Sequence, residues 1–520
     1  MEPKSSRLVI ALPLLLSLGF GAFVALPQVR ADATLLETFL ITAGLLIGWA
    51  VALSIVLVAR GRTPVLTVSL LKQHYLQACA HTSILLYWGW YWPPVYEHAY
   101  LIAAQLVFAY AFDMLLQLSR HRKYTLGFGP FPIIFSINLF LWFKNDWFYY
   151  QFLIVAAGFA AKDFLHWMKG GRSVHIFNPS SFPLAIASWM LLFTHGFGNT
   201  WGELIAGTQF IPPHIFTFIF LVSLPGQFLF GVTSMTLPAV ITMYAWGQAY
   251  FAFTGVYYFY QGYIPIAVFL AMHLLITDPS TSPRTELGRV LYGVAYAVTV
   301  IVLELIIHPG FVAKLLLVPA LNLSVQLIDR AAQSRVLRRF DPARIAPQLT
   351  GRRRNLATMA IWAAVFCLML FLRGIGDRFP GRDIPFWQEA CKEHPERACE
   401  QLAYNADLAC RHDSGWGCNS LAILKTNLVA QSKQPDAPAA LRAAMPFFYR
   451  ACQLGFQPGC ENARRAERDG EIQDAPPTVA DFRILLSLYK SSQRTKLDAM
   501  GPSEVNAEAC RHGWKVACGQ

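Results

Sequence analysis

Three stretches of the sequence carry no charged side chain, residues 8–27, 39–59 and 356–372, and each is about the length of a membrane crossing. A hydrocarbon layer ~30 Å thick needs roughly 20 apolar residues in a helix. The composition agrees, because 55% of the residues are hydrophobic and 14% are charged, whereas about 25% are charged in soluble domains. Backbone inside lipid has to satisfy its own hydrogen bonds. The sequence therefore predicts an all-α, polytopic helical membrane protein.

Further apolar stretches raise the predicted number of crossings to about thirteen. The fifth of them is short enough to be re-entrant. In chain order, the predicted crossings lie near residues 8–27, 39–59, 74–92, 98–118, 130–143, 147–167, 179–195, 213–231, 237–255, 263–277, 289–307, 312–328 and 355–373.

Basic residues form short clusters beside the apolar stretches, and this explains a net charge of +12 without a nucleic-acid partner. When the crossings are counted, clusters such as 120–123 and 335–354 all fall on one side of the membrane. Positively charged loop residues collect on the cytoplasmic side. We therefore expect a multi-pass protein of a bacterial inner membrane, with the lipid bilayer as a partner and with all residues after Arg373 in the periplasm.

Eight of the ten cysteines lie in the polar segment that follows the last crossing, and they repeat one pattern, Ala-Cys followed by seven residues and a second Cys. An even number of cysteines in an oxidising compartment favours disulfides. Zinc binding is the alternative, although structural zinc sites prefer two to four residues between paired ligands. The four pairs are Cys391 with Cys399, Cys410 with Cys418, Cys452 with Cys460, and Cys510 with Cys518.

Residues 439–470 read AALRAAMPFFYRACQLGFQPGCENARRAERDG and resemble the cysteine-rich Sel1-like repeats. The resemblance implies a C-terminal domain, residues 380–520, in which antiparallel helix pairs stack into a disulfide-stapled solenoid. A solenoid presents a concave surface that suits binding. We therefore expect this domain to dock a periplasmic protein partner.

Three motifs in the membrane half resemble the family that contains the D subunit of the Rnf electron-transport complex and the B subunit of the Na⁺-translocating NADH:quinone reductase. Their order and spacing agree with that family across residues 65–345. Residues 1–64, a two-helix membrane extension, and residues 346–379, the end of a basic loop with the final crossing, lie outside the resemblance. The matching positions are Lys162, Gly170 and Phe177-Asn178-Pro179 in the first motif, Thr277-Asp278-Pro279, Ser282-Pro283, Gly288-Arg289 and Tyr292-Gly293 in the second, and Asn322 and Asp329 in the third.

This resemblance implies an electron-transfer subunit that binds FMN or another flavin, with quinone as a further ligand. The residues alone also allow a simpler interpretation, because Pro279 ends a helix and Asp278 can cap a broken helix end. Both interpretations stay open at the level of the sequence. By the resemblance, the cofactor-binding residues in these motifs are Lys162, Asn178, Pro179, Thr277, Asp278 and Asn322.

Members of this family carry a flavin phosphate esterified to a threonine in a Ser-Gly-Ala-Thr sequence on an external loop. The corresponding loop here contains Ala206-Gly207-Thr208, an imperfect relative of that sequence. Thr208 is therefore the candidate for a covalent flavin. Thr236 is a rival, but the charge pattern places it on the cytoplasmic side. Without an acceptor threonine, the flavin would be bound noncovalently.

Four histidines, His74, His81, His166 and His273, lie in or beside crossings, where a facing pair can ligate a haem. No nucleotide-binding fingerprint occurs in the sequence, so NADH oxidation would belong to another electron-transfer subunit. The expected function is that of a subunit of a membrane oxidoreductase. The alternative is a nonredox transporter or scaffold that retains the fold and assembles partners through its Sel1-like domain.

Overall fold

The computed structural model describes residues 6–61, 64–210, 212–255, 257–259, 262–306, 314–372, 375, 383–393, 395–430, 437–468, 471–488 and 494–519. The chain forms two compact units. The first comprises residues 1–210, 214–243 and 266–368, and the second comprises residues 211–213, 244–265 and 369–520. The domain boundaries predicted after residues 64, 345 and 379 stay predictions.

The first unit is built from apolar helices. In the described part of the chain, four helices are long and apolar enough to cross a membrane: Ala33–Ala59, Ala99–His121, Glu286–Ile306 and Gly351–Phe371. They indicate a membrane protein, while the larger number of about thirteen crossings stays a prediction. The other α-helices up to residue 371 are Ser6–Gly21, Pro27–Arg30, Lys72–Tyr91, Pro94–Glu97, Pro130–Asn138, Tyr149–Phe164, Ser181–Thr194, Gly202–Thr208, Ile215–Phe230, Thr233–Thr254, Ile266–Leu274, Leu317–Ala332 and Pro342–Ile345.

The N-terminal helices pack on the rest of the first unit through a cluster of phenylalanines. Phe20 stacks on Phe39 with ring centroids 5.3 Å apart, and Phe152 meets these two rings edge-on at 5.2 and 5.5 Å. Phe108 places a fourth ring 6.0 Å from Phe20. Aromatic pairs at such distances stabilise a core beyond the area that they bury. The predicted N-terminal extension is therefore part of the packing of this unit.

Two short β-pairs complete the first unit. Strands Val65–Val68 and Lys123–Leu126 pair in parallel, with Val65 opposite Lys123. Strands His166–Lys169 and Arg172–His175 form an antiparallel hairpin, with His166 opposite His175. The hairpin turn is Gly170-Gly171, whose φ angles of 57° and 78° are left-handed and favour glycine.

Two nine-residue helices, Pro130–Asn138 and Ile266–Leu274, are each followed by buried backbone that is not helical. Buried backbone groups need hydrogen-bond partners. After the first helix, the side chain of Gln209 donates to the Leu139 carbonyl at 2.5 Å, and that of Gln151 accepts from the Phe143 amide at 3.2 Å. The short fifth segment, predicted at 130–143, is therefore half helix and half irregular backbone.

The second unit contains short helices around a core of small residues. Ala422, Ala444, Phe448 and Ala463 form a buried cluster in which the alanines allow neighbouring helices to approach closely. Its helices are Ile384–Glu393, Pro395–Arg411, Gly415–Ala430, Ala437–Gln453, Gln457–Ala466, Val479–Ser487, Arg494–Ala499 and Pro502–Arg511.

The four predicted disulfides are confirmed: Cys391–Cys399, Cys410–Cys418, Cys452–Cys460 and Cys510–Cys518. The first three join consecutive helices. Each of the two central pairs also has a glycine before its second cysteine. A Cβ atom on Gly417 would lie 2.6 Å from the Ala409 side chain, and one on Gly459 would lie 2.5 Å from Ala451. The alanine and the glycine of the repeated pattern therefore face each other where the helices cross.

Aromatic residues from the segment 244–265 pack within the second unit against its first C-terminal helix. The ring of Tyr257 lies 5.5 Å from that of Phe386 and 6.3 Å from that of Trp387. The sequence interpretation assigned this segment to the membrane core. The structure groups it with the C-terminal residues, and these ring contacts lie within that unit.

The disulfides predict a specific thiol count. Of the ten cysteines, only Cys79 and Cys367 are free, and both are exposed. Alkylation of denatured, unreduced protein should therefore modify two cysteines, and alkylation after reduction should modify ten. Peptide mapping by mass spectrometry would locate the labels. Labelling of any cysteine after residue 390 without reduction would contradict the pairing.

Candidate functional site

The three motifs meet at the side chain of Asn322, which is 1% exposed. Its Oδ1 accepts from the backbone N–H of Asn178 at 3.1 Å. Its Nδ2 donates to the Thr281 carbonyl at 3.1 Å and to the Tyr292 hydroxyl at 3.0 Å. We call these four residues the Asn322 junction. One buried amide thus connects the first, second and third motifs.

Asn178 connects two further stretches of backbone. Its Oδ1 accepts from the N–H groups of Ser180 and Ser181 at 2.9 and 3.1 Å, and this caps the start of helix Ser181–Thr194. Its Nδ2 donates to the Leu275 carbonyl at 3.1 Å, just after helix Ile266–Leu274 ends. Asn178 therefore provides hydrogen-bond partners for backbone groups at the start of one helix and just after the end of another.

Thr277 and Asp278 hold the backbone that follows helix Ile266–Leu274. The Thr277 hydroxyl donates to the His273 carbonyl at 2.8 Å. Asp278 accepts from the Ser280 N–H at 3.0 Å and from the Thr281 hydroxyl at 3.1 Å. Pro279 lacks an N–H group and cannot continue the helix. The Thr-Asp-Pro sequence therefore builds a side-chain-supported turn, as the capping interpretation predicted.

Asp278 is charged at neutral pH although its side chain is only 20% exposed. Burial raises its pKa, but the hydrogen bond and charge of His175, whose Nε2 lies 3.4 Å from Oδ2, lower it. The Ser280 and Thr281 hydrogen bonds act in the same direction, so the pKa lies below its ordinary value. His175 comes from the Gly170-Gly171 hairpin.

Lys169 brings a positive charge to the same place. Its Nζ donates to the carbonyls of Ser280 and Ser282. Burial lowers the pKa of Lys169, while the nearby carboxylates of Asp329 and Asp278 oppose that shift. The sequence interpretation singled out neither Lys169 nor His175 as a site residue. Their positions on either side of a Gly-Gly turn are the one sequence signal that links them.

Asp329 orders the start of helix Glu286–Ile306. Its carboxylate accepts from the Arg284 and Thr285 N–H groups at 3.1 Å and from the Thr285 hydroxyl at 2.8 Å. A Cβ atom on Gly288 would lie 2.8 Å from Asp329 Oδ1. Gly288 of the second motif therefore leaves the space that the Asp329 carboxylate of the third motif occupies.

Gly293 is required by a close backbone contact, and Gly170 is favoured by its left-handed φ angle of 57°. A side chain at Gly170 would overlap the guanidinium of Arg284, and one at Gly293 would overlap the Met235 carbonyl. Arg289 links the second motif to a helix end, because its Nη1 donates to the Gly231 carbonyl at 2.7 Å. These motif positions therefore have structural roles in the packing and backbone hydrogen bonding around the site.

Two predicted cofactor residues do not join the hydrogen bonds of the junction in the described part of the chain. Pro179 packs on helix Tyr149–Phe164, where a Cβ atom on Gly158 would lie 2.7 Å from the Pro179 carbonyl. Lys162 lies on the same helix, with Nζ 5.7 Å from the centre of the Phe159 ring.

Thr208 belongs to a different part of the first unit. Its hydroxyl donates to the Leu204 carbonyl at 2.6 Å and accepts from the Trp88 indole N–H at 3.3 Å. The Trp88 ring stacks on Trp92 at 4.9 Å and lies 5.7 Å from Trp142. The rival, Thr236, is fully buried and donates to the Met272 carbonyl at 3.1 Å. Thr236 is thus engaged with helix Ile266–Leu274.

The histidines also have structural contacts. His81 Nε2 lies 2.8 Å from the Ser136 hydroxyl, and His166 lies opposite His175 in the hairpin. His273 is buried between the rings of Phe269 and Trp362. Haem ligation by these residues stays a prediction.

No family model, curated protein or solved structure matches the chain. The family resemblance of the three motifs therefore stays an expectation from the sequence.

Replacement of Asn322 tests the junction. Asn322→Ala should lower the free energy of unfolding by about 2–4 kcal/mol, because it leaves the Asn178 N–H and the Thr281 carbonyl buried without a partner. Tyr292→Phe removes one of the same hydrogen bonds and should cost about 1 kcal/mol. Unfolding of the purified full-length variants in one detergent measures both. Equal costs for the two variants would contradict the role of Asn322.

Proposed function

We propose that the protein is a membrane-embedded electron-transfer subunit that binds FMN or another flavin, quinone, or both. One observation carries the proposal: three motifs that are far apart in the sequence share one hydrogen-bonded junction around Asn322. The backbone beside this junction is not helical, and such backbone can offer polar groups to a ligand near the membrane surface. The residues proposed to line the site are Asn178, Pro179, Thr277, Asp278 and Asn322, and Lys162 is proposed as a further cofactor-binding residue from the first motif.

The charged side chains beside the junction suit the chemistry of a flavin or quinone. A bound flavin or quinone would supply the electron transfer itself. His175 Nε2 lies 3.4 Å from Asp278 Oδ2, so an imidazole N–H can donate to this carboxylate beside the proposed ligand. Lys169 adds a positive charge where electron density on the ligand would increase.

The surroundings of Thr208 fit a flavin in a second place. The rings of Trp88, Trp92 and Trp142 stack on one another and form an aromatic cluster next to this threonine. The Trp88 indole already contacts the Thr208 hydroxyl. Thr208 would have to exchange its hydrogen bond to Leu204 for a phosphoester. A covalent flavin at Thr208 is therefore part of the proposal.

The proposed setting is a bacterial inner membrane, with about thirteen crossings and a periplasmic C-terminal domain. The basic clusters support the orientation, and the four disulfides support an oxidising compartment for the C-terminal residues. We propose that these residues form a Sel1-like solenoid that docks a periplasmic protein. The other proposed partners are electron-transfer subunits, one of which would oxidise NADH.

A specific observation favours the second candidate, a nonredox transporter or scaffold. The polar groups of Asn178 and Asn322 and the Asp278 carboxylate are all hydrogen bonded to other parts of the chain. Such a junction can hold a broken helix without any ligand. The two proposals differ in whether a redox cofactor is present.

The proposal predicts that protein coexpressed with a flavin transferase carries extractable flavin or quinone, with flavin absorbance at about 450 nm. Asp278→Asn keeps a hydrogen-bond acceptor but removes a charge. It should therefore shift cofactor potential or occupancy while expression and thermal stability stay normal. Asp341→Asn is the matched control, because Asp341 also caps a helix, through Ala343, outside the junction.

The same preparation tests Thr208. A phosphoester survives denaturation, so a covalent flavin gives a fluorescent band on a denaturing gel that Thr208→Ala removes. If the wild-type protein yields neither flavin nor quinone, the electron-transfer proposal is wrong and the transporter or scaffold proposal replaces it.

A further inference from the structure

A cavity lies beside the end of helix Ile266–Leu274. None of the four residues of the Asn322 junction lines it, although Thr277 of the proposed cofactor site does. Helices Lys72–Tyr91 and Ile215–Phe230 form its other walls. The volume open to the centre of a water-sized molecule is about 20 Å³. Its polar lining residues are Gln77, Ser223, Gln227, His273 and Thr277.

His273 presents an unpaired acceptor to this cavity. Its ring is 3% exposed, and its Nδ1 lies 2.7 Å from the Phe269 carbonyl. A carbonyl only accepts hydrogen bonds, so Nδ1 carries the proton and the neutral ring keeps a lone pair on Nε2. Within the described part of the chain, Nε2 has no hydrogen-bond partner.

Gln227 presents a second unpaired acceptor. Its side chain is 2% exposed. Ser223 donates its hydroxyl proton to the Phe220 carbonyl at 2.9 Å, so it can only accept from Gln227, whose Nε2 lies 3.2 Å away. This fixes the amide orientation and leaves Oε1 as the atom without a partner among the described residues.

We propose that this cavity binds a small N–H or O–H donor, a single water or an ammonium ion, between His273 Nε2 and Gln227 Oε1. Two buried acceptors without a donor are costly, and one molecule that donates to both removes that cost. The cavity has room for a molecule of this size. A hard metal cation prefers oxygen ligands alone, whereas one of the two acceptors here is a nitrogen.

Substitution of the acceptors tests the site in full-length, purified protein. If a donor bridges them, His273→Leu and Gln227→Met should each lower Tm, and the double variant should lose less than the sum, because both single changes break one bridge. Gln227→Met conserves side-chain volume and keeps the test decisive if His273→Leu does not fold. His81→Leu is the matched control, because His81 Nε2 already contacts Ser136.

Ligand titration separates the two donors. Ammonium chloride should raise the wild-type Tm above that in equal tetramethylammonium chloride, which has the same charge and no N–H, if ammonium binds. The rise should be absent in Gln227→Met. Equal Tm in the two salts, together with the non-additive loss described above, identifies water.

Single variants that keep or raise Tm, with effects that add in the double variant, would overturn the proposal. That result would mean that the two acceptors stay unpaired and that an apolar side chain relieves each of them independently. A stabilisation by sodium chloride equal to that by ammonium chloride would exclude ammonium, and additive effects of the variants would then overturn the proposal.

Discussion

The hydrogen bonds of the Asn322 side chain are the constraint on which the proposed site depends. This amide satisfies backbone groups at Asn178 and Thr281, which come from two different motifs and lie in a buried region. In a low-dielectric interior, an unpaired backbone group is costly. Asn322 therefore allows the chain to leave the helical conformation after Ile266–Leu274 and still satisfy its polar groups.

A break in a buried helix has two consequences in this protein. On one side, the nonhelical backbone between Leu275 and Ser282 accepts hydrogen bonds from the side chains of Asn178, Asn322 and Lys169. On the other side, the His273 ring faces the cavity that it shares with Gln227. Both the proposed cofactor site and the proposed donor site therefore arise from the same interruption of one helix.

The sequence was sufficient for features that depend on local chemistry. Pro279 predicted that a helix ends before it, Asp278 predicted side-chain hydrogen bonds in the turn that follows, and the repeated Ala-Cys pattern predicted the four disulfides. Tertiary packing decided the rest. No sequence pattern placed Trp88 beside Thr208, or the Arg284 guanidinium over Gly170. The contacts of the segment 244–265 with Phe386 are equally nonlocal, and apolar periodicity could not indicate them.

Hydrogen–deuterium exchange of the full-length protein in nanodiscs tests the central claim most directly, because it reports whether the nonhelical backbone at residues 275–282 is held by side chains. The account predicts that this segment exchanges as slowly as helix Glu286–Ile306 in the wild type. In Asn322→Ala, its exchange should become much faster while helix Ala99–His121 is unchanged. Rapid exchange of the segment in the wild type, or equal protection in the variant, would contradict the account.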